Sequence, residues 1–237
     1  MNRIYSTILL LAVSLISFNA HAQINRKLQN QPYADQKMYH LGFSIAIHTQ
    51  DMALSNTGKV TDAGEVWFAD IPSYQPGFSV GIIGDRYINE YFNVRITPTL
   101  HFGERKFVFR EQATGEEYTK SLKSNYLSLP LHFKFNAGRI NNYRPYLIAG
   151  AYANMDINRS KDEALRFKKM DYGLEFGIGC SFYLPLFKLS PELKFSLGLA
   201  DLIDKDRSDL TDNDMLRYRD AVSSGKTRMI SIVFNFE

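Results

Sequence analysis

The feature that most limits how this chain can fold is a strict period-two alternation of apolar and polar residues. Between Tyr91 and Phe102 the even positions are Phe92, Val94, Ile96, Pro98, Leu100 and Phe102. The odd positions are Tyr91, Asn93, Arg95, Thr97, Thr99 and His101. Successive side chains of a strand point to opposite faces, so this period specifies strands with one apolar and one polar face. The pattern recurs in Leu127, Leu129, Leu131, Phe133 and Phe135 against Ser128, His132 and Lys134. It recurs again in Leu174, Phe176, Ile178, Cys180 and Phe182, in Leu193, Phe195, Leu197 and Leu199, and in Ile230, Ile232, Phe234 and Phe236. Eight strands are predicted, near 38–48, 77–85, 91–110, 118–136, 145–157, 168–184, 188–201 and 226–236. Each is long enough to cross a bilayer as a tilted strand, which takes about 9–11 residues.

The connections alternate in length. The long ones fall at 49–76, 111–117, 158–167 and 202–225, and the short ones at 86–90, 137–144 and 185–187. Outer-membrane barrels have short periplasmic turns and longer outer loops, so the order places both ends of the barrel in the periplasm. The even strand number fits a single-chain bacterial barrel.

Composition decides which face meets lipid. A soluble barrel would turn its polar face to water and carry many Lys and Glu there. Here that face is Gly, Ser, Ala, Asn and Tyr with a few isolated charges, and the apolar face is almost uncharged. Small residues suit the crowded interior of an eight-stranded barrel. Mean hydropathy is negative (−0.25), yet the chain holds 14 Tyr and 17 Phe. That combination arises when only every second residue faces lipid. The expected fold is therefore all-β: an eight-stranded antiparallel transmembrane barrel over 38–237.

The N-terminus agrees with this compartment. Arg3 precedes an apolar run from Ile8 to Phe18, and Ala20-His21-Ala22 has the small-x-small form of a signal-peptidase site. Residues 1–22 read as a cleaved secretory signal, and 23–37 as a polar, loosely structured periplasmic lead-in. Removal of Arg3 leaves 27 basic against 25 acidic residues. That near balance excludes the concentrated basic face of a nucleic-acid binder. Cys180 is the only cysteine, so no internal disulfide and no thiolate metal cluster can form.

Inward charges are expected at Arg95, Lys134, Glu175, Glu192 and Lys194, with Asp156 and Asp171 nearer strand ends. A plug of lumenal ion pairs accounts for them, because buried charges must be paired. An eight-stranded interior leaves no aqueous channel. His40, His48, His101 and His132 fall on lumen faces. His48 with nearby Asp51 and Ser55 could in principle serve lipid chemistry, but no nucleophile has a recognisable setting. Five aspartates between Asp204 and Asp214 suggest Ca²⁺ without the Gly and Glu of a known loop, and read better as a solvated mixed-charge loop. Thr211 and Asp214 have capping-box spacing for a helical turn. Trp67 and Phe68 in the first outer loop fit a binding edge or an interfacial anchor, and the belt is the default reading for aromatics at that height. Cys180 reads as an inert residue of the apolar register. No catalytic, cofactor-binding or metal residue is assigned.

Several stretches, taken in order, carry a resemblance. They are Pro32-Tyr33-Ala34-Asp35-Gln36-Lys37, His40-Leu41-Gly42-Phe43, Pro76-Gly77-Phe78-Ser79-Val80-Gly81, Phe102-Gly103-Glu104-Arg105 and Asn142-Tyr143-Arg144-Pro145-Tyr146. Phe182-Tyr183-Leu184-Pro185-Leu186-Phe187-Lys188, Pro191-Glu192-Leu193-Lys194-Phe195, Arg228-Met229-Ile230-Ser231 and Phe234-Asn235-Phe236-Glu237 complete the set. Together they resemble the PorT family, called SprT in gliding relatives, of the type IX secretion system of Bacteroidetes. The resemblance implies an outer-membrane barrel required for exporting cargo to the cell surface, with no enzymatic activity and no cofactor. It implies outer-membrane lipid and other secretion-system subunits as partners, and no nucleic acid. Glu104, Arg105, Arg144, Glu192 and Lys194 are polar positions in the matching motifs and read as lumen or rim structure. Two other roles for the same barrel are a lipid-modifying enzyme and a purely structural barrel of the OmpA type.

Overall fold

Alternating residues of this kind can bury their backbone polar groups in lipid only by closing a sheet on itself. The chain does so in a computed structural model that describes residues 30–59, 65–70, 75–112, 114–157, 167–203 and 221–237. The strands are β1 (Tyr39–Asn56), β2 (Trp67–Asp70), β3 (Pro76–Tyr87), β4 (Phe92–Ile96), β5 (Thr99–Phe102), β6 (Glu104–Glu111), β7 (Glu117–Lys123), β8 (Tyr126–Asn136), β9 (Tyr143–Asp156), β10 (Met170–Tyr183), β11 (Lys188–Gly198) and β12 (Val222–Phe236). Every neighbouring pair is antiparallel. The ring runs β1, β3, β4 with β5, β8, β9, β10, β11 and β12, and closes where β12 pairs with β1. β4 and β5 are one stave, broken where Pro98 lacks an N–H. The carbonyl of Pro98 still accepts from Ile82 N at 3.0 Å, so the wall stays continuous. Eight staves stand where eight strands were expected.

The wall is apolar outside and polar inside. Leu41, Phe43, Ile45 and Ile47 of β1, Leu129, Leu131 and Phe133 of β8, and Ile230 and Ile232 of β12 are all exposed. Their alternate neighbours Ser44, His48, Ser128, His132 and Ser231 are buried.

Several expected boundaries are corrected. β1 continues to Asn56 rather than stopping at 48, and β12 starts at Val222 rather than 226, so the two rise together beyond the rest of the wall. The expected strands 91–110 and 118–136 are each broken, near Gly103 and at Ser124-Asn125. Their outer halves, β6 and β7, leave the wall and form a separate three-stranded sheet with β2. That strand lies inside what reads from sequence as the loop 49–76. The tip of the β6–β7 hairpin turns on Gly115, whose φ of 71° is the left-handed conformation that glycine adopts without strain.

The lead-in is corrected as well. Its described part is docked on the turn end of the barrel, through a short 3₁₀ turn over Ala34–Gln36. The signal 1–22, the aspartate-rich loop 204–214 and the capping-box pair Thr211 and Asp214 lie outside the described residues.

Candidate functional site

The lumen holds the densest chemistry of the molecule. Near the turn end Arg95 is the hub. Its Nε donates to Asp85 at 2.9 Å, its Nη2 to Glu237 at 2.5 Å, and its Nη1 lies 3.8 Å from Glu192. Lys188 pairs with the far side of Glu237 at 2.6 Å. The Tyr146 hydroxyl donates to Glu192 at 2.9 Å, and the Lys134 ammonium sits 4.2 Å above the Tyr146 ring. A cation over an aromatic face, shielded from water, is one of the few ways to hold a buried lysine without a carboxylate of its own.

Half-way along, Glu175 receives three groups. His132 reaches it at 2.7 Å, Lys194 at 3.3 Å, and the Ser196 hydroxyl donates at 2.8 Å. His132 is on β8 and Glu175 on β10, so the pair spans the intervening strand β9. In register both face Gly150. A Cβ there would stand 2.0 Å from the Leu131 carbonyl and 2.8 Å from the His132 Cα. Glycine is what opens the row for this contact.

Toward the loop end, Ser79 sits between two histidines, 2.7 Å from His48 Nδ1 and 2.8 Å from His101 Nδ1. The Gln50 amide nitrogen donates to His48 Nε2 at 3.0 Å. The network assigns the protons. His48 accepts at Nε2, so it donates from Nδ1 to Ser79, and Ser79 donates onward to His101 Nδ1. His101 stacks on Tyr126 with ring centroids 4.6 Å apart. Between these clusters remains a cavity of about 20 Å³, lined by Arg95, His101, His132 and Ser231 among others. That is room for about one water. Among the described residues no group of three or more His, Cys, Asp or Glu is placed to hold a metal ion.

Each inward charge expected from sequence is placed by this geometry. Arg95, Lys134, Glu175, Glu192 and Lys194 are buried and joined as above, and His48, His101 and His132 are buried with them. His40 is partly buried and contacts the Ala34 carbonyl through Nε2 at 2.7 Å. Asp171 and Asp156 line a second cavity, of about 30 Å³, at the outer rim with Arg105. Glu104 is exposed, whereas Arg105 is buried. His48 is not brought together with Asp51 and Ser55. They lie in the opposite parity of β1, and His48 is committed to Gln50 and Ser79. Sequence reading missed Asp85, Lys188, Gln50, Ser79 and Glu237 as members of the network. The inward parity of Ser79 and Asp85 on β3 was the available signal. Cys180 is half-buried in the outward register, as expected.

The turn end carries a second polar cluster. Asp35 pairs with Arg139 at 3.2 Å and Arg144 at 3.1 Å, and accepts from the Tyr183 hydroxyl. The Arg139 guanidinium stacks 3.5 Å from the Tyr183 ring centre. The Asn30 and Gln31 side-chain amides donate to the carbonyls of Tyr183 and Leu184 at 2.9 and 2.8 Å. Burial alone would raise the Asp35 pKa. The Tyr183 hydroxyl and the two arginines outweigh it and hold the carboxyl below its usual range.

The loop end is built differently. Met52, Trp67, Ala69, Phe107, Phe109, Leu202, Ile203, Ala221 and Val222 form an apolar core between the three-stranded sheet and the raised ends of β1 and β12. Trp67 is only 2% exposed, and its indole N–H donates to Glu65 at 2.8 Å. Its reading as a belt residue is therefore corrected: it is the centre of an outer cap. Phe68, next along β2, faces the other way and is part-exposed.

Residues 21–204 match the family model described as outer membrane protein beta-barrel domain. Among solved structures, the chain is similar to the outer membrane protein OprG of Pseudomonas aeruginosa. Identity is 12%, with 84% of this chain and 92% of that one covered and a TM-score of 0.43. Neisserial surface protein A (NspA) gives 12%, 84%, 98% and 0.45. The attachment invasion locus protein Ail of Yersinia pestis gives 15%, 83%, 96% and 0.34. No curated protein sequence matches.

Proposed function

This chain belongs to the outer membrane protein beta-barrel domain family, and from that premise we propose that it is a non-enzymatic component of the type IX protein secretion machinery. The resemblance to the PorT family, spread in order over nearly the whole mature chain, supports the role. The observation that carries the mechanism is the closed lumen. Arg95, Glu175, Lys194 and Glu237 fill the bore with ion pairs, and the cavity left takes about one water. No cargo passes through such a barrel. Its contribution to export runs through its ends: the capped loop end toward the cell surface and the docked turn end toward the periplasm. Those ends are where other secretion-system subunits make contact.

The test is deletion of the gene, with export of surface proteases or adhesins measured on intact cells. Cargo retained inside the cell with its precursor unprocessed is the expected result. Normal surface export with normal processing removes the secretion role and leaves a structural barrel.

A further inference from the structure

The cavity at the outer rim lies where the wall meets the cap. Asn154 of β9, Asp171 of β10 and Thr227 of β12 line it from the wall, and Arg105 lines it from the start of β6. Leu202 of the cap core and Phe167, which packs against that core, border it from above. Each of the four polar residues carries a buried side-chain atom with no hydrogen-bond partner in the protein: Arg105 Nε, Asn154 Oδ1, Asp171 Oδ1 and Thr227 Oγ1. All four residues are buried, from Thr227 at 2% to Asn154 at 7% exposed. A buried donor or acceptor left unsatisfied is costly, so four of them around one cavity mark a place built for a ligand. Charge sharpens the point. The buried Arg95 and Arg144 each meet a carboxylate. Arg105 makes no ion pair among the described residues, although Asp171 lines the same cavity.

The mix of these atoms selects the ligand. A cation would face the Arg105 Nε–H, and an anion would face the Asp171 carboxylate. Only a neutral group that both accepts and donates hydrogen bonds satisfies the two together. The volume, about 30 Å³, is room for about two water molecules. We propose that this cavity is a binding site for water, which bridges Arg105 to Asp171, Asn154 and Thr227 and joins the cap to the wall. Asn154 and Asp171 stand opposite each other in the β9–β10 register, so a single water can donate to both. A water that accepts from Arg105 Nε and donates to Asp171 Oδ1 makes the two charges a solvent-separated pair. Such a bridge is nearly as good as a direct hydrogen bond. Its place follows from β6, whose inward residues run from Arg105 to Phe107 and Phe109. The water fills the step between an ion-paired interior and an apolar one. The site does not depend on a role in secretion, so failure of that role leaves it standing.

The test uses the full barrel purified in micelles. Magnetisation transfer from long-lived water to the Thr227 methyl group is expected in the native chain. It is expected to be lost in Asn154→Met, whose longer side chain takes the space and removes the amide, while the gel shift of a folded barrel is kept. Two further measurements need no variant. A crystal structure of the barrel is expected to show water within hydrogen-bond distance of both Arg105 Nε and Asp171 Oδ1. Titration with Ca²⁺ is expected to leave the unfolding midpoint where it was. The proposal is overturned by the absence of transfer in the native chain, or by transfer undiminished in a folded Asn154→Met barrel. It is equally overturned by a direct Arg105–Asp171 pair, by a side chain of the 158–166 segment or a metal ion in the cavity, or by a midpoint that rises with Ca²⁺.

Discussion

From Asn93 to His101 the odd-numbered residues of one stave are buried and polar; at Phe107 and Phe109, a few residues on, they are buried and aromatic. The parity that points inward does not change. What surrounds the strand does. Below Gly103 the outside is lipid, which is as apolar as any side chain, so apolar burial in the lumen would gain little and the interior is free to be polar. Above it the outside is water, and removing Phe107 and Phe109 from water gives the usual gain of about 25 cal/mol per Å². The same switch occurs on β1, where Ser44, His48 and Gln50 give way inwardly to Met52. The chain is thus two proteins in series: a wall held inside by ion pairs, and a cap held inside by oil.

The largest way to break that comparison is at the wall's hub. Arg95→Leu leaves Asp85 and Glu237 buried without their main partner. Removing one member of a buried charge network costs about 3–5 kcal/mol. The barrel's unfolding free energy in lipid or micelles should fall by that amount, seen as a lower denaturation midpoint with an unchanged slope. The cap core, which shares no residue with Arg95, should open no more readily in the folded barrel.

Met52→Ala tests the other half. Truncating a buried methionine costs about 2–5 kcal/mol, and the lower end applies here because Met52 lines a groove. The loss should be confined to the cap. Protease should cut the outer segments faster, while the gel shift of the folded wall stays where it was. If the wall unfolds at a lower denaturant concentration as well, the two cores are one cooperative unit and the division drawn above is wrong.

Gly115→Ala gives a smaller and more local effect. A non-glycine residue in the left-handed conformation costs about 1–2 kcal/mol. It should loosen the β6–β7 hairpin, seen as faster exchange at the Glu111 and Gly115 amides, which close the turn. The wall should not respond.

The same division explains what could be read from the sequence. The eight staves were legible because lipid demands an apolar residue at every second position over the whole width of the membrane. Residues 49–56, Thr-Gln-Asp-Met-Ala-Leu-Ser-Asn, lose that demand as they leave lipid, and the end of β1 was lost with it. The inward charges were legible from parity. Their pairing was not, because Arg95 meets Glu237 142 positions away only once the ring has closed. Trp67 was misread because a tryptophan near the outer rim of a barrel has two stable homes. The choice between the interface and a cap core depends on β6 and Ile203, which no local pattern brings to mind. The docking of Asp35 was hidden for a related reason: its partners Arg139, Arg144 and Tyr183 come from two different turns and strands.

That docking site sharpens the comparison most finely, because it lies at the other end and uses charge where water has access. Asp35 has a native pKa held below the ordinary carboxylate value. Its contribution is therefore fully present above the unfolded pKa, near 4, and is lost as pH falls through the lower native value. The ion pairs are partly exposed, so the worth is about 0.5–1 kcal/mol rather than that of the buried Arg95 hub. The segment 30–37 should stay docked at neutral pH and detach only in strong acid, read from exchange at the Asn30 and Ala34 amides, which donate to Asn142 Oδ1 and the Gln31 carbonyl. Asp35→Asn should loosen the segment slightly at neutral pH and remove the acid step. An acid step that persists in Asp35→Asn would move the titration to another group and leave the clamp as packing alone.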